Sequence, residues 1–178
     1  MINLRRIPFL TTAEPGFAPD PQTTASLAVR LETASQRRLG RSLALFHVNA
    51  GSCGGCEMEV RALTGVVYDL QRFGLRFVGS PMQADVLVTT GPLTRTLRTA
   101  LERAWDSTPD PKWVVAVGDC AVDGGVFKGS YAVMGGTGAV VPIDLTISGC
   151  PPTPARLLSG LRALLEANAA EPPSRAER

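Results

Sequence analysis

Trp113-Val-Val-Ala-Val117-Gly-Asp-Cys120 is the stretch that decides the fold. Its apolar run is too short for an independent helix, is rich in β-branched valine and stops at a glycine. It therefore predicts a strand buried on both faces, as in a parallel sheet. Upstream, Leu93, Leu97, Ala100, Leu101 and Ala104 recur at helical spacing, and Pro109-Asp110-Pro111 ends that stripe. Before it, Asp85-Val-Leu-Val-Thr89 and the shorter 75–78 read as strands. Val60, Leu63, Val67 and Leu70 share a helical face that runs out near Gly74. The run 42–48, closed by Asn49-Ala50-Gly51, is another buried strand.

Downstream, 140–147 reads as a strand with Pro142 placed early, where an edge position tolerates it. Thr153 is an N-cap with Pro154 at the first helical position. Leu157, Leu158, Leu161, Leu164 and Leu165 form the apolar face of a closing helix. Strands alternating with helices across short connections indicate an α/β protein, an open three-layer parallel sheet of the flavodoxin-like class. The pattern does not give the strand order.

The organisation expected is an N-terminal arm and short amphipathic helix (1–41), an α/β domain (42–169) and a polar tail (170–178). In the arm, 1–25 is irregular and rich in Pro, Thr and Ala, and Leu27, Leu31 and Ala34 give 26–39 a helical stripe. The 18 Lys+Arg against 16 Asp+Glu leave a net charge of +2, too small and too scattered for a nucleic-acid surface. No apolar run approaches the roughly 18 residues that span a bilayer. Arg5-Arg6 is followed by only four residues, Ile7 to Leu10, before polar residues intervene, so it lacks the apolar core of an export signal. The expectation is a cytoplasmic protein without a membrane span of its own, held at any membrane by partners.

The four cysteines occupy matching places. Cys53 and Cys56 follow the strand ending near Val48, Cys120 follows Val117, and Cys150 follows Ile147. In a parallel sheet the loops leaving the strand C-termini share one edge, where open α/β sheets bind ligands, so distant cysteines converge by topology. The Gly91-Pro92 turn should line that edge too. Four chemistries compete. Disulfides need an oxidising compartment. A dithiol redox pair explains Cys53 and Cys56 but leaves Cys120 and Cys150 idle. A structural zinc site normally shows two close pairs, and here there is one. An iron–sulfur cluster held by one close pair and two singles uses all four. The Cys150-Pro151 step favours the last, as do the glycines beside the cysteines, Gly51, Gly54, Gly55, Gly118 and Gly149, which let N–H groups approach sulfur.

Cys53-Gly-Gly-Cys-Glu57, Gly118-Asp-Cys120, Gly124-Gly-Val-Phe127 and Gly149-Cys-Pro-Pro152 resemble one family over about residues 42–168. It comprises the cluster-bearing small subunits of nickel–iron hydrogenases and their homologue in NADH:quinone oxidoreductase (respiratory complex I). The resemblance implies one [4Fe–4S] cluster ligated by Cys53, Cys56, Cys120 and Cys150, with Gly55, Gly118, Asp119, Gly149 and Pro151 lining it. It implies an electron-transfer subunit of an oxidoreductase complex with no independent catalysis. The implied partners are a hydrogenase-type large subunit, a ferredoxin-like iron–sulfur subunit and membrane subunits, which would hold it peripherally on the inner face of the cell membrane. The quinone-reducing branch usually carries adjacent cysteines at the first site. The two glycines between Cys53 and Cys56, with the short chain, resemble the membrane-bound energy-converting hydrogenases, similar to formate hydrogenlyase small subunits.

Other residues have simpler readings. Glu57 and Glu59 stabilise a helix start, and Glu57, beside a cysteine, is also a candidate for proton transfer. Asp119 is a turn residue whose charge, next to Cys120, should disfavour an added electron, so Asp119→Asn is expected to raise a cluster's potential. Gly135-Gly-Thr-Gly138 precedes a strand instead of opening a helix, and so reads as a turn, not a phosphate loop. His47, the one histidine, reads as a core residue, and Trp105 and Trp113 as packing or partner contacts. The arginines at 61, 72, 76, 95, 98 and 103 read as solvated faces.

Overall fold

The structure, a computed structural model, describes residues 42–169. The arm, the 26–39 helix and the 170–178 tail expected from sequence lie outside the described residues. Five strands form the main sheet: β1 (Leu43–Asn49), β2 (Leu75–Phe77), β3 (Val86–Thr90), β5 (Trp113–Val117) and β7 (Leu145–Ile147), in the order β2-β1-β3-β5-β7. All neighbours are parallel, with Leu45 opposite Val86, Val86 opposite Trp113 and Val115 opposite Leu145. Counted along the chain, that order is 2-1-3-4-5, the doubly wound flavodoxin-like arrangement, with its switch point between β1 and β3. A small antiparallel pair, β4 (Leu93–Thr94) with β6 (Val133–Gly135), stands apart.

The helices are α1 (Gly55–Ala62), α2 (Arg98–Ser107), α3 (Asp119–Asp123) and α4 (Pro154–Ala169). Side chains alternate across the strands, so each strand feeds two cores. Leu43, Leu45, Val86, Val88, Val115 and Val117 meet the apolar faces of α1 and α4 on one side. Val48, Leu87 and Val114 meet Leu101 and Ala104 of α2 on the other. This double burial is why the strands read as continuous apolar runs. Helix α4 starts where its sequence says it should: Thr153 Oγ1 accepts from the Arg156 amide at 3.4 Å. Its buried Leu157, Leu158, Leu161 and Leu164 hold it on β7 and α1, each worth about 1.5–3 kcal/mol on burial.

Three expectations need correction. The helix expected from Val60 to Leu70 ends at Ala62. Gly65 and the β-branched Val66 and Val67 disfavour another turn, and both valines are exposed. Leu63 and Leu70 still reach the core because the Leu70 amide bonds the Leu63 carbonyl, and a short 3₁₀ turn, Leu70–Phe73, leads into β2. Leu93 belongs to β4, not to the helical stripe. The Thr94 amide bonds Ala50 O and the Arg95 amide bonds Ala132 O, which commits this segment to extended pairing, and Ala100 is exposed. Of 140–147, only Leu145–Ile147 is strand. Val140 and Val141 close a 3₁₀ turn over Thr137–Ala139, and Pro142 has no N–H to pair. β7 is an edge strand nonetheless.

The tryptophans behave as packing residues. Trp113 is buried in β5, and Trp105 carries the Lys112 ammonium 4.2 Å from its ring centre. The same ammonium donates to the carbonyls of Trp105 and Thr108, closing the C-terminus of α2.

Candidate functional site

The C-terminal ends of β1, β5 and β7 lie on one edge of the sheet, and each is followed within a few residues by cysteine. After β1, Asn49 Oδ1 accepts from the amides of Gly51 and Ser52, both at 2.8 Å, and Ser52 Oγ accepts from Gly54 N at 2.8 Å. These side-chain turns carry Cys53 outward and aim α1 so that Cys56 falls in its first turn, buried. The turn after β3 lies against this loop: a Cβ at Gly91 would come within 2.8 Å of Ser52 Cβ. The Gly91-Pro92 turn thus lines the edge as expected.

After β5, the Gly118 amide bonds Ile147 O at 2.8 Å and the Asp119 amide bonds Gly149 O at 3.1 Å. Asp119 Oδ1 accepts from Gly149 N at 2.8 Å. The loops of Cys120 and Cys150 are therefore stitched together. Cys120 is buried at the start of α3, and Cys150 is exposed ahead of a cis Pro151. A Cβ at Gly118 would lie 2.5 Å from Cys56 Sγ and 3.4 Å from Gly149 O, so the Cys56 sulfur rests on this stitched pair of loops. A Cβ at Gly55 would lie 3.8 Å from Cys53 Sγ and 4.0 Å from Pro151 Cβ, which places Cys53 beside the Cys150 loop.

The glycines serve mainly as space. The Val126 N–H donates to the Cys120 sulfur. Gly124 and Gly125, both at positive φ, turn the chain back to allow it, and a Cβ at Gly125 would sit 2.8 Å from Cys120 Sγ.

Electrostatics link the four thiols. Burial pushes Cys56 up to about 11, and Cys120, Cys150, Cys53 and Asp119 push the same way. Burial also raises Cys120; the Val126 N–H opposes this, and Cys150, Cys53 and Asp119 add to it. All four cysteines are free. Among the described residues no group of three or more His, Cys, Asp or Glu could hold a metal ion. A zinc-like centre at about 2.3 Å from each thiolate requires sulfurs roughly 3.8 Å apart, and the set does not suit one shared ion.

Sequence reasoning missed a cavity of about 460 Å³ on the open side of β1, lined by His47, Asn49, Glu57, Arg61 and Phe77 among others. β2 is too short to cover the end of β1, and the i, i+4 pair Glu57 and Arg61 faces the same space; that pair was the available signal. His47 is therefore half-buried beside a cavity, not a core residue. Its Nε2 lies 2.8 Å from Thr90 Oγ1. Burial lowers its pKa, Glu57 opposes this and Arg61 reinforces it. Glu57 Oε1 is buried without a hydrogen-bond partner. Gly135-Gly-Thr-Gly138 is a turn, as expected, and Thr137 pins it to the sheet through Thr89 Oγ1 at 2.9 Å. Arg98 pairs with Glu102 on an exposed helix face.

Residues 53–164 match the family described as NADH ubiquinone oxidoreductase, 20 Kd subunit. The chain is 41% identical over 147 residues to formate hydrogenlyase subunit 7 of Escherichia coli, covering 83% of this chain and 58% of that subunit's length. It is 42% identical over 128 residues to the probable membrane-bound hydrogenase subunit mbhJ of Pyrococcus furiosus, covering 72% and 77%. A chain in the structure of the membrane-bound sulfane sulfur reductase, an archaeal respiratory membrane complex, superposes with a TM-score of 0.66 at 29% identity, over 78% of this chain and 75% of that one. No helix among the described residues is long and apolar enough to cross a membrane. With its doubly wound sheet and a match over most of its length, this chain belongs to the NADH ubiquinone oxidoreductase 20 Kd subunit family.

Proposed function

We propose that the chain is an electron-transfer subunit carrying one [4Fe–4S] cluster, with Cys53, Cys56, Cys120 and Cys150 each holding one iron. The observation that carries this reading is the gathering of four free thiols from three loops at one sheet edge, the other three close enough to act on the Cys56 thiol. The donor set fits. A cubane takes one thiolate at each of four separate irons, so its ligands need not close on one point. Cys56 and Cys120, raised by burial and by their neighbouring cysteines, stand in a site that positive charge would relieve. Bound there, the cluster would supply a one-electron relay.

The chain's own residues do the holding. The Asn49 and Ser52 turns present the close pair, and Gly118 leaves room for the Cys56 sulfur. The Val126 amide donates to Cys120, and burial of Cys56 and Cys120 keeps water from two of the four sulfurs. Glu57, beside Cys56 with one carboxylate oxygen buried and unbonded, is the candidate to accept a proton when charge arrives. Val126, whose amide reaches the Cys120 sulfur, is itself 79% exposed. Apolar surface beside a redox centre suits a covering partner.

That partner is a catalytic large subunit of the nickel–iron hydrogenase type, with a ferredoxin-like subunit and membrane subunits completing a complex at the inner face of the membrane. The hydrogenase-related relatives support this assignment. Anaerobic purification with iron and acid-labile sulfide analysis tests the reading. Roughly four of each per chain are expected, with a broad visible band bleached by reductant and lost in Cys120→Ser. Colourless protein containing zinc, or neither metal nor colour, would overturn it.

A further inference from the structure

Cys120 and Cys150 are the two single cysteines, and the residues immediately before them hold each other. The Asp119 amide donates to Gly149 O at 3.1 Å, and the Gly149 amide donates back to Asp119 Oδ1 at 2.8 Å. The first bond is backbone to backbone, and any residue at 119 except proline can make it. The second needs a short side chain ending in an acceptor. Its place in the fold gives it a purpose. β7 is a three-residue edge strand with β5 as its sole neighbour. The loop that carries Cys150 out of it has no strand on its far side, and Cys150 itself is exposed. Gly149 stands at φ +143°, and a Cβ there would meet Pro152 Cα at 2.7 Å, so no side chain of its own can anchor it.

The ordinary alternative is that Asp119 caps α3. That helix has five residues, and the carboxylate oxygen is bonded across to Gly149.

We propose that Asp119 is a positioning residue: through its bond to the Gly149 amide it fixes the spacing between the Cys120 and Cys150 thiols. This rests on the reading of those thiols as cluster ligands. It assigns Asp119 a geometric role separate from any effect of its charge on potential.

The test uses the full-length chain with Asp119→Asn, which keeps the acceptor and removes the charge. Asp119→Glu keeps the charge and displaces the acceptor by one methylene, and Asp119→Ala removes both. Two quantities are read: amide exchange at Gly149, by mass spectrometry of peptides spanning it, and the rate of iron loss to a chelator. Asn is expected to stay within about two-fold of wild type on both, with unchanged EPR line shape. Glu and Ala are expected to speed both by about five- to ten-fold, the loss of one hydrogen bond to a charged acceptor, with broadened signals. If Ala does not fold, Glu carries the comparison. Asn behaving like Ala, or Glu and Ala matching wild type, overturns the proposal. Iron-free protein in which Gly149 exchange is still slow in wild type and Asn but fast in Glu and Ala removes the cluster reading and leaves the Asp119 clasp standing.

Discussion

The sulfur of Cys56 lies where any residue other than glycine at position 118 would place its Cβ: an added carbon would stand 2.5 Å from it. Gly118 also holds φ 87° and ψ 154°, a region essentially reserved for glycine. One position therefore combines a backbone requirement with a steric one, and the two are separable. Gly118→Ala is expected to cost about 2–3 kcal/mol in denaturant unfolding and to displace Cys56. Gly129→Ala has a similar positive φ of 83° but nothing within 4 Å of the new carbon, and should cost only the backbone part. Equal losses in the two variants would show that the Cys56 contact carries no weight.

Thr89 and Thr137, both fully buried, share a hydroxyl hydrogen bond that ties the Gly135-to-Gly138 turn to β3. Thr89→Val matches the shape but orphans Thr137, at a cost of about 1–3 kcal/mol. The double variant Thr89→Val with Thr137→Val should recover part of that loss. Urea denaturation of the three proteins checks it, and a double variant no more stable than Thr89→Val contradicts the pairing.

Asp144 is half-buried with Oδ2 accepting from the Val114 amide at 2.7 Å. Burial raises its pKa, and the Val114 amide only partly opposes this. The native carboxyl thus keeps its proton where the unfolded one, near 3.9, has lost it. The associated stability is present below that value and is lost as pH rises through the folded pKa. Asp144→Asn keeps an acceptor and cannot ionise. The stability of the variant relative to wild type should therefore rise as pH increases from the unfolded carboxyl's value, near 3.9, through the raised native one. A pH-independent difference refutes the assignment.

His47 shows the opposite slope. Burial lowers its pKa, so the native ring stays neutral while the unfolded one, near 6.5, takes a proton. Stability from this group is complete above about pH 6.5 and falls as pH drops toward the folded value. His47→Gln removes that slope. Parallel unfolding titrations of variant and wild type at pH 7.5 and 5.5 should show wild type losing more on acidification.

Much of this molecule was legible along the chain. Val114 to Val117 announce a strand buried on both faces because a parallel strand has no polar side, and Thr153-Pro154 announces α4 because capping is local chemistry. The convergence of Cys53, Cys56, Cys120 and Cys150 on one edge follows from the direction shared by parallel strands, and the structure brings them there. Reading failed where long-range bonds outcompeted local preference. Leu93 has helical spacing but is claimed by β6. Val140 and Val141 have strand character but no neighbour to pair with, and the helix over Val60 ends at Ala62 because Gly65, Val66 and Val67 do not sustain another turn.

The sequence by itself determined what is intrinsic to short stretches: where strands and helices start, which faces are apolar, and which residue types stand at the strand ends. Strand order, the open flank of β1 that makes the His47 cavity, and the mutual hold of Asp119 and Gly149 were decided only by the tertiary structure. They depend on hydrogen bonds and packing between residues dozens of positions apart, whose energies no local pattern encodes.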